Sequence, residues 1–358
     1  MKIGIIGLPQ TGKKTLFEIL ANRKLTENEI ASKQPIKGVI EVKDPRFDML
    51  AKTYKPKKEA RTRIEIEMLP KLEKDTITEG DIFTDINELD AICHVVRAFK
   101  DDSIYHVEGS VNPKRDIDLV NSELILHDLV FIEKRMENIE KKVKWLKEES
   151  TKKEKALLAK LKAHLEKELP LRLIDLTADE IKIISSYPSL LTRKTVIVAL
   201  NISEEDLNNT ALIEQLKRDY QVSAIDIMQI SAKVESEIAK LESGEEKEQF
   251  LKELGIKEPA VDALSRLCIK ALNLISFFTV GPDEVRQWTT RSGSTASEAA
   301  GVIHTDLQKG FIRAEVIKYS DFAIYASEAK VKEAGNLYVK GKDYIVEDGD
   351  MLDIRFNV

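Results

Sequence analysis

The sequence predicts an α/β fold: a mostly parallel sheet with helices on both faces, interrupted by a long helical hairpin and followed by a small β-rich domain. Three observations predict it. Short apolar runs alternate with helical patterns over much of the chain, the order that generates a parallel sheet covered on both sides. Between about residues 128 and 190 that alternation gives way to a heptad seam. From about residue 274 the texture becomes short strands separated by Gly, Pro and Asp turns. At 358 residues the chain is too long for one compact core, so two or three domains are expected.

The elements follow in order. KIGIIG is a short β-branched run ending in Gly7, and TLFEILANRK sets Leu16, Ile19 and Leu20 at helical spacing. Further strands are expected at GVIEV (38–42), TRIEIEML (62–69), AICHVVRAF (91–99), KTVIVALN (194–201) and AIDIMQISA (224–232), with the helical pattern EEDLNNTALIEQLKRDY before the last. In the interruption, Leu129, Ile132, Met136, Ile139, Val143 and Leu146 are spaced 3, 4, 3, 4, 3. After the polar break EESTKKEK comes a second stripe of Leu158, Leu161, Leu165 and Leu169. Two such helices joined by a short turn fold back as an antiparallel coiled-coil hairpin. Residues 131–169 hold 12 Lys and Arg against 8 Glu, a locally basic arm suited to facing RNA or a ribosome. In the C-terminal part, ISFFTVG, FIRAEVI, IYASEA, LYVKGKDYIV and DMLDIRFNV read as strands. There 10 Lys and Arg stand against 13 Asp and Glu, so charge alone gives that part no hold on a phosphate backbone.

Composition narrows the class further. Charged residues make up 33%, hydrophobic ones 42%, and the formal charge is −6, which excludes a uniformly basic nucleic-acid binder. No apolar run approaches the roughly 18 residues of a membrane span, and the N-terminus enters a strand pattern directly. Cys93 and Cys268 share neither a metal nor a redox spacing. A cytoplasmic protein with reduced thiols and no membrane partner is expected.

The chemistry lies in GLPQTGKKT, residues 7–15. A strand, a glycine-bounded loop and a helix in that order form a phosphate-binding loop, G-x-x-x-x-G-K-[ST]. Its N–H groups and helix terminus form an anion nest. Gly7, Pro9, Gln10, Thr11, Gly12, Lys13, Lys14 and Thr15 are the residues this loop would bring to a nucleotide. NISE, with Asn201, Ile202 and Glu204, follows the strand TVIVAL; SAK, with Ser231, Ala232 and Lys233, follows DIMQI. Nucleotide hydrolases of the GTPase type read the base with an N-K-x-D element and a later S-A-K element in these positions. Ile202 and Glu204 replace the lysine and aspartate, which weakens selectivity for guanine.

These motifs resemble the YchF / Obg-like ATPase family. The matching stretches include GLPxxGKxTLF at 7–17, PxxGVIEVxDPRFDML at 35–50, DAICHVVRAF at 90–99 and HVEGSVNPxRDIDLVNSELIL at 106–126. FFTVGPDEVRQWTTRSGSTASEAAGVIHTDLQKGFIRAEVI at 278–317 and the closing KEAGNLYVKGKDYIVEDGDMLDIRFNV are the most specific. The resemblance spans nearly the whole chain. It implies a P-loop nucleotide domain at 1–127 and 191–273, a helical arm at 128–190, and a C-terminal β-grasp TGS domain at 274–358. It also implies binding of ATP or GTP, with adenine tolerated or preferred, and association with ribosomes. The family's proposed catalytic histidine matches His106; His94, inside an apolar strand, reads as a core residue.

The departures from that pattern fall on the catalytic side. Lys14 stands where the family has the Ser or Thr that ligates Mg²⁺, so no metal ligand is assigned and Mg²⁺ dependence is in doubt. Glu67-Met68-Leu69-Pro70 stands where the family has D-x-x-G, and proline offers no N–H. The glycine-rich switch that follows is reduced to Gly80, and Ser32 replaces a threonine. Three readings follow: a nucleotide binder with weak or lost hydrolysis and a regulatory role on ribosomes or RNA; an active Mg²⁺-dependent ATPase or GTPase; or a nucleotide-free scaffold.

Overall fold

The structure, a computed structural model, describes residues 1–72, 81–143, 149–188, 190–241 and 243–357. They fall into two compact units: Met1–Val39 with Glu65–Leu264, and Ile40–Ile64 with Ser265–Val358.

The first unit is built on a six-stranded sheet in the order β2-β4-β1-β5-β6-β7. Its strands are β1 (Lys2–Ile6), β2 (Ile36–Glu41), β4 (Arg63–Met68), β5 (Ala91–Arg97), β6 (Thr195–Asn201) and β7 (Ile225–Ile230). β1 pairs in parallel with β4 and β5, and β6 pairs in parallel with β5 and β7, as the alternation predicts. β5 is buried along its whole length, which is why AICHVVR reads as a continuous apolar run and not as an alternation. Helices α1 (Lys13–Leu20), α4 (Asp81–Asn87), α8 (Ala211–Asp219) and α9 (Ala232–Ile238) follow β1, β4, β6 and β7 in sequence. A core that includes Ile6, Leu8, Leu69, Ile92, Val96, Val198, Leu200 and Leu216 fills the space between sheet and helices.

The arm consists of α5 (Pro113–Val143) and α6 (Glu149–Leu165). Leu129, Ile132, Met136 and Ile139 meet Leu158, Leu161 and Leu165 in one apolar cluster, so the seam packs as its spacing predicts. The Val143 side chain, Leu146, the connecting residues and Gly80 of the switch lie outside the described residues. Ion pairs Glu133–Lys162 (2.7 Å) and Glu140–Lys155 (2.8 Å) run in opposite sequence directions, which makes the hairpin antiparallel. The second stripe ends earlier than expected: α6 stops at Leu165, and Glu168 turns the chain with φ of 60°. At the root, Asp128 is fully buried and accepts from the N–H groups of Leu191 and Thr192 (both 2.8 Å) and from Thr192 Oγ1 (2.6 Å).

The second unit holds another six-stranded sheet, β11-β10-β12-β8-β9-β3. Its C-terminal strands are β8 (Leu274–Thr279), β9 (Glu284–Arg291), β10 (Phe311–Lys318), β11 (Tyr338–Lys340) and β12 (Asp350–Phe356), with α12 (Ala296–Ile303) between β9 and β10. The edge strand β3 (Lys58–Ala60) comes from far earlier in the chain and pairs in parallel with β9. Helix α3 (Pro45–Tyr54) contributes Phe47, Leu50 and Ala51 to a core with Phe278, Val285, Phe322 and Met351. One expected strand is corrected. IYASEA spans the end of helix Tyr319–Tyr325 and the start of helix Glu328–Glu333. Tyr319, Phe322 and Tyr325 are three apart, and packing that stripe on the core outweighs the strand propensity of its aromatic and β-branched residues.

Candidate functional site

β1 delivers the chain to Gly7, and the loop closes at Gly12, which precedes α1 with φ of 87°. That left-handed backbone is available to glycine, and a Cβ on Gly12 would lie 2.2 Å from Asn201 Nδ2. At Gly7 a Cβ would lie 2.6 Å from the Val95 carbonyl oxygen, so the loop is pressed against β5. Gln10 also has positive φ, 63°, at the exposed tip after Pro9. Thr11 is buried and donates to the Leu8 carbonyl at 3.1 Å. No side chain caps the first turn of α1, and no acidic residue occupies it. Its N–H groups therefore remain the positive end of a helix that starts beside Lys13, Lys14 and Thr15.

Asn201 ties this loop to the two base-side segments. Its Nδ2 donates to the Thr11 carbonyl at 2.9 Å and its Oδ1 accepts from Ala232 N–H at 3.0 Å, both in the interior. One amide thus holds the phosphate loop, the NISE turn and the SAK turn in register. Glu204 and Lys233 form an ion pair at 3.0 Å on the surface of the same region. Ser231 is buried, and its hydroxyl has no hydrogen-bond partner among the described residues. Ile202 turns into the core beside Leu200 and Leu207, so the structure brings its backbone to the site but not its side chain.

On the phosphate side, Lys13 is buried and its ammonium donates to the carbonyls of Leu69 and Pro70, each at 2.7 Å. The segment that replaces D-x-x-G therefore lies directly on the loop lysine. Glu67, its acidic residue, is buried and paired with Lys2 at 3.0 Å, in the register that sets Gly4 beside Glu67. Lys14 is half-buried and, among the described residues, makes no hydrogen bond or ion pair. An ammonium at that position opposes a divalent cation and offers no lone pair to it, so the site does not fit Mg²⁺ in the family's manner. Ser32 is exposed, and its hydroxyl accepts from Gln34 N–H at 2.9 Å.

The two histidines differ in environment. His94 lies in β5 opposite Ile6, fully enclosed. Burial, reinforced by the Lys13 ammonium, pushes its imidazole down to about 3. It is therefore neutral near pH 7, and its Nε2 has no partner among the described residues. His106 is also buried, but its Nδ1 accepts from Glu108 N–H at 3.1 Å, which leaves Nε2–H to donate to Asp116 at 3.1 Å. Arg115 holds the other oxygen of Asp116 at 2.7 Å. The loop before His106 is fixed by Arg97, a buried guanidinium that donates to the carbonyls of Phe99, Asp101, Ile104 and Tyr105. Arg97 belongs to no binding motif of the sequence. Its signal was a lone charge near the end of an otherwise apolar strand.

Comparison with known proteins bears on the same features. Residues 274–357 match the family model YchF-GTPase_C, described as a protein of unknown function. The chain is 40% identical over 363 residues to the ribosome-binding ATPase YchF of Pasteurella multocida, covering 100% of this chain and 99% of that one. It is 39% identical over 365 residues to the protein of the same name from Bacillus subtilis, covering 99% of each. Among solved structures, the Schizosaccharomyces pombe YchF GTPase superposes with a TM-score of 0.82 at 32% identity, over 99% of this chain and 97% of that one. The loop, the base-side turns and the C-terminal sheet are thus set in a chain that matches such relatives from end to end, and it belongs to the YchF family.

Proposed function

We propose that this chain binds a purine nucleotide, ATP or GTP, on the Gly7–Thr15 loop and acts as a ribosome- or RNA-associated regulator whose hydrolysis is weak or lost. The observation that carries the binding half is the Asn201 clamp, which joins Thr11 of the phosphate loop to Ala232 of the base-side turn. In this reading the Gly12 loop and the N-terminus of α1 hold the β-phosphate. Lys13 exchanges its two carbonyls for phosphate oxygens, and Ser231, Ala232 and Lys233 with Glu204 border the base. Lys14, unpaired among the described residues, supplies a tethered positive charge to the phosphates. With Ile202 in the core and a glutamate at 204, guanine loses its usual partners and adenine is accepted.

Weak hydrolysis is supported by three features together. The metal position is an ammonium, Glu67 is committed to Lys2, and Pro70 has no N–H for a γ-phosphate. Losses of this kind cost on the order of 10²–10³-fold each in related chemistry. His106 would have to release Asp116 or the Glu108 N–H before it could act on a water. The ribosome enters from the names of the relatives in P. multocida and B. subtilis, and with it a cytoplasmic site of action. The expected division into nucleotide domain, arm at 128–190 and TGS domain from 274 is part of the same proposal.

Calorimetric titration with ATP and with GTP, each with and without Mg²⁺, tests the binding half; absence of heat with both nucleotides would remove it. A second reading, an active Mg²⁺-dependent ATPase, rests on the relatives' names. Steady-state turnover at the rate of such an ATPase would favour it.

A further inference from the structure

Residues 69–72, which follow β4, are stitched to β1 and to the phosphate loop. Leu69 N–H donates to the Ile5 carbonyl at 3.0 Å and continues the parallel pairing that sets Ile5 beside Met68. Leu72 N–H donates to the Gly7 carbonyl at 3.4 Å. Between these two bonds the Lys13 ammonium takes the carbonyls of Leu69 and Pro70, each at 2.7 Å. Leu69 and Leu72 are buried in the core that holds Ile6, Leu8, Phe83 and Ile86. The loop lysine is therefore a cross-link between two segments as well as the group placed to meet a phosphate.

A nucleotide competes for that cross-link. Charged phosphate oxygens bind an ammonium more strongly than neutral carbonyls do, so a phosphate on the loop draws Lys13 away from the segment. The carbonyls of Leu69 and Pro70 then lose a donor, and the bond at Leu69 lies in the interior, where an unpaired carbonyl is costly. In nucleotide hydrolases of the GTPase type, a glycine N–H at the end of D-x-x-G ties this segment to the γ-phosphate, and the nucleotide orders it. Pro70 stands at that place here and has no N–H to make the bond. The segment loses its hold on the lysine and gains none on the nucleotide.

We propose that nucleotide binding releases residues 69–72 from the phosphate loop, a switch opposite in sign to ordering by a γ-phosphate. This rests on the nucleotide binding proposed above and adds its regulation: Lys13 serves either the segment or the phosphates. The linkage is reciprocal. A partner that holds the segment on the loop weakens nucleotide binding, and a partner that takes the released segment strengthens it.

Amide hydrogen exchange of the full chain, read on peptides spanning residues 69–72, tests it beside calorimetry on the same samples. With saturating ATP or GTP, whichever gives binding heat, exchange of the segment should speed up at least about tenfold while β5 keeps its rate. Lys13→Met removes the ammonium and should bring the fast rate without nucleotide. Pro70→Gly restores an N–H and should cancel the acceleration by nucleotide. Binding heat with unchanged or slowed exchange in the unchanged chain overturns the inference and leaves nucleotide binding standing. Slow exchange in Lys13→Met, or acceleration that persists in Pro70→Gly, overturns it as well. The nucleotide measurement needs no variant, so it decides even if Lys13→Met does not fold. Absence of binding heat with both nucleotides removes the binding proposal, and this inference with it.

Discussion

Replacing Asn201 with alanine tests the central joint of the nucleotide site. The substitution removes the donor to the Thr11 carbonyl and the acceptor for Ala232 N–H, both in the interior. Asn201 itself is only 4% exposed, so water does not readily replace either bond. An unsatisfied buried partner costs about 1–3 kcal/mol, which gives roughly 2–6 kcal/mol for the pair. Urea unfolding followed by far-UV circular dichroism measures that loss, and nucleotide titration of the same variant measures the site. Affinity should fall with stability, because the phosphate loop and the SAK turn lose their common tether. Asn201→Asp refines the test: it keeps an acceptor for Ala232 N–H but sets a carboxylate against the Thr11 carbonyl. It should therefore damage the loop side and leave the SAK side connected. A loss below about 0.5 kcal/mol for Asn201→Ala, with unchanged nucleotide affinity, would refute the reasoning.

Three further outcomes are expected. The double variant Lys14→Ser, Pro70→Gly should raise Mg²⁺-dependent hydrolysis by at least about tenfold over the unchanged chain; no increase in a phosphate-release assay would mean that the lesion lies elsewhere. Glu235 is buried and accepts from Ala260 N–H at 2.7 Å, and burial raises its carboxyl to about 7. Because the folded value lies above the unfolded one, its protonated form stabilises the fold at low pH, and that contribution is lost as pH rises from about 4.5 to about 7, by up to roughly 3 kcal/mol. Unfolding of Glu235→Gln across that range should show a flatter profile. Phe47→Ala, which empties a fully buried place against Phe278 and Phe322, should cost about 3–5 kcal/mol and act on the second unit; a calorimetric scan in which only the first unit's transition moves would contradict it.

Much of this architecture is readable from local pattern. The parallel strands announced themselves as β-branched runs, and the arm's Leu129–Ile139 seam packs where its 3–4 spacing puts it. Gly12 and Asn201 were picked out by motif, yet the bond network that joins them was not. A tetrapeptide records which residue stands at a position and not which carbonyl its amide reaches. Arg97, Asp128 and Glu235 were missed for a related reason. Each is a buried charge that satisfies backbone groups far along the chain or in a neighbouring loop, and no periodicity marks such a role. The misread IYASEA shows the opposite failure, since its aromatic and β-branched composition suggested a strand that three-residue packing overrode. The three-residue strand β3 is too short for any alternation to register.

That short strand has a consequence for how the protein is made. Lys58 pairs with Glu284 and Ala60 with Arg286, so the early segment must wait for most of the chain to be synthesised before its partners exist. During translation, Phe47, Leu50 and Ala51 have no apolar surface of their own unit to cover them until β8 and β9 emerge. The first unit can begin to organise around its parallel sheet in that interval, whereas the second closes last, across a very long loop. The matched C-terminal family segment, 274–357, shares its compact unit with Ile40–Ile64 in this chain. Expressed alone it would lack an edge strand and part of its core, and it would meet the solvent with an open sheet edge.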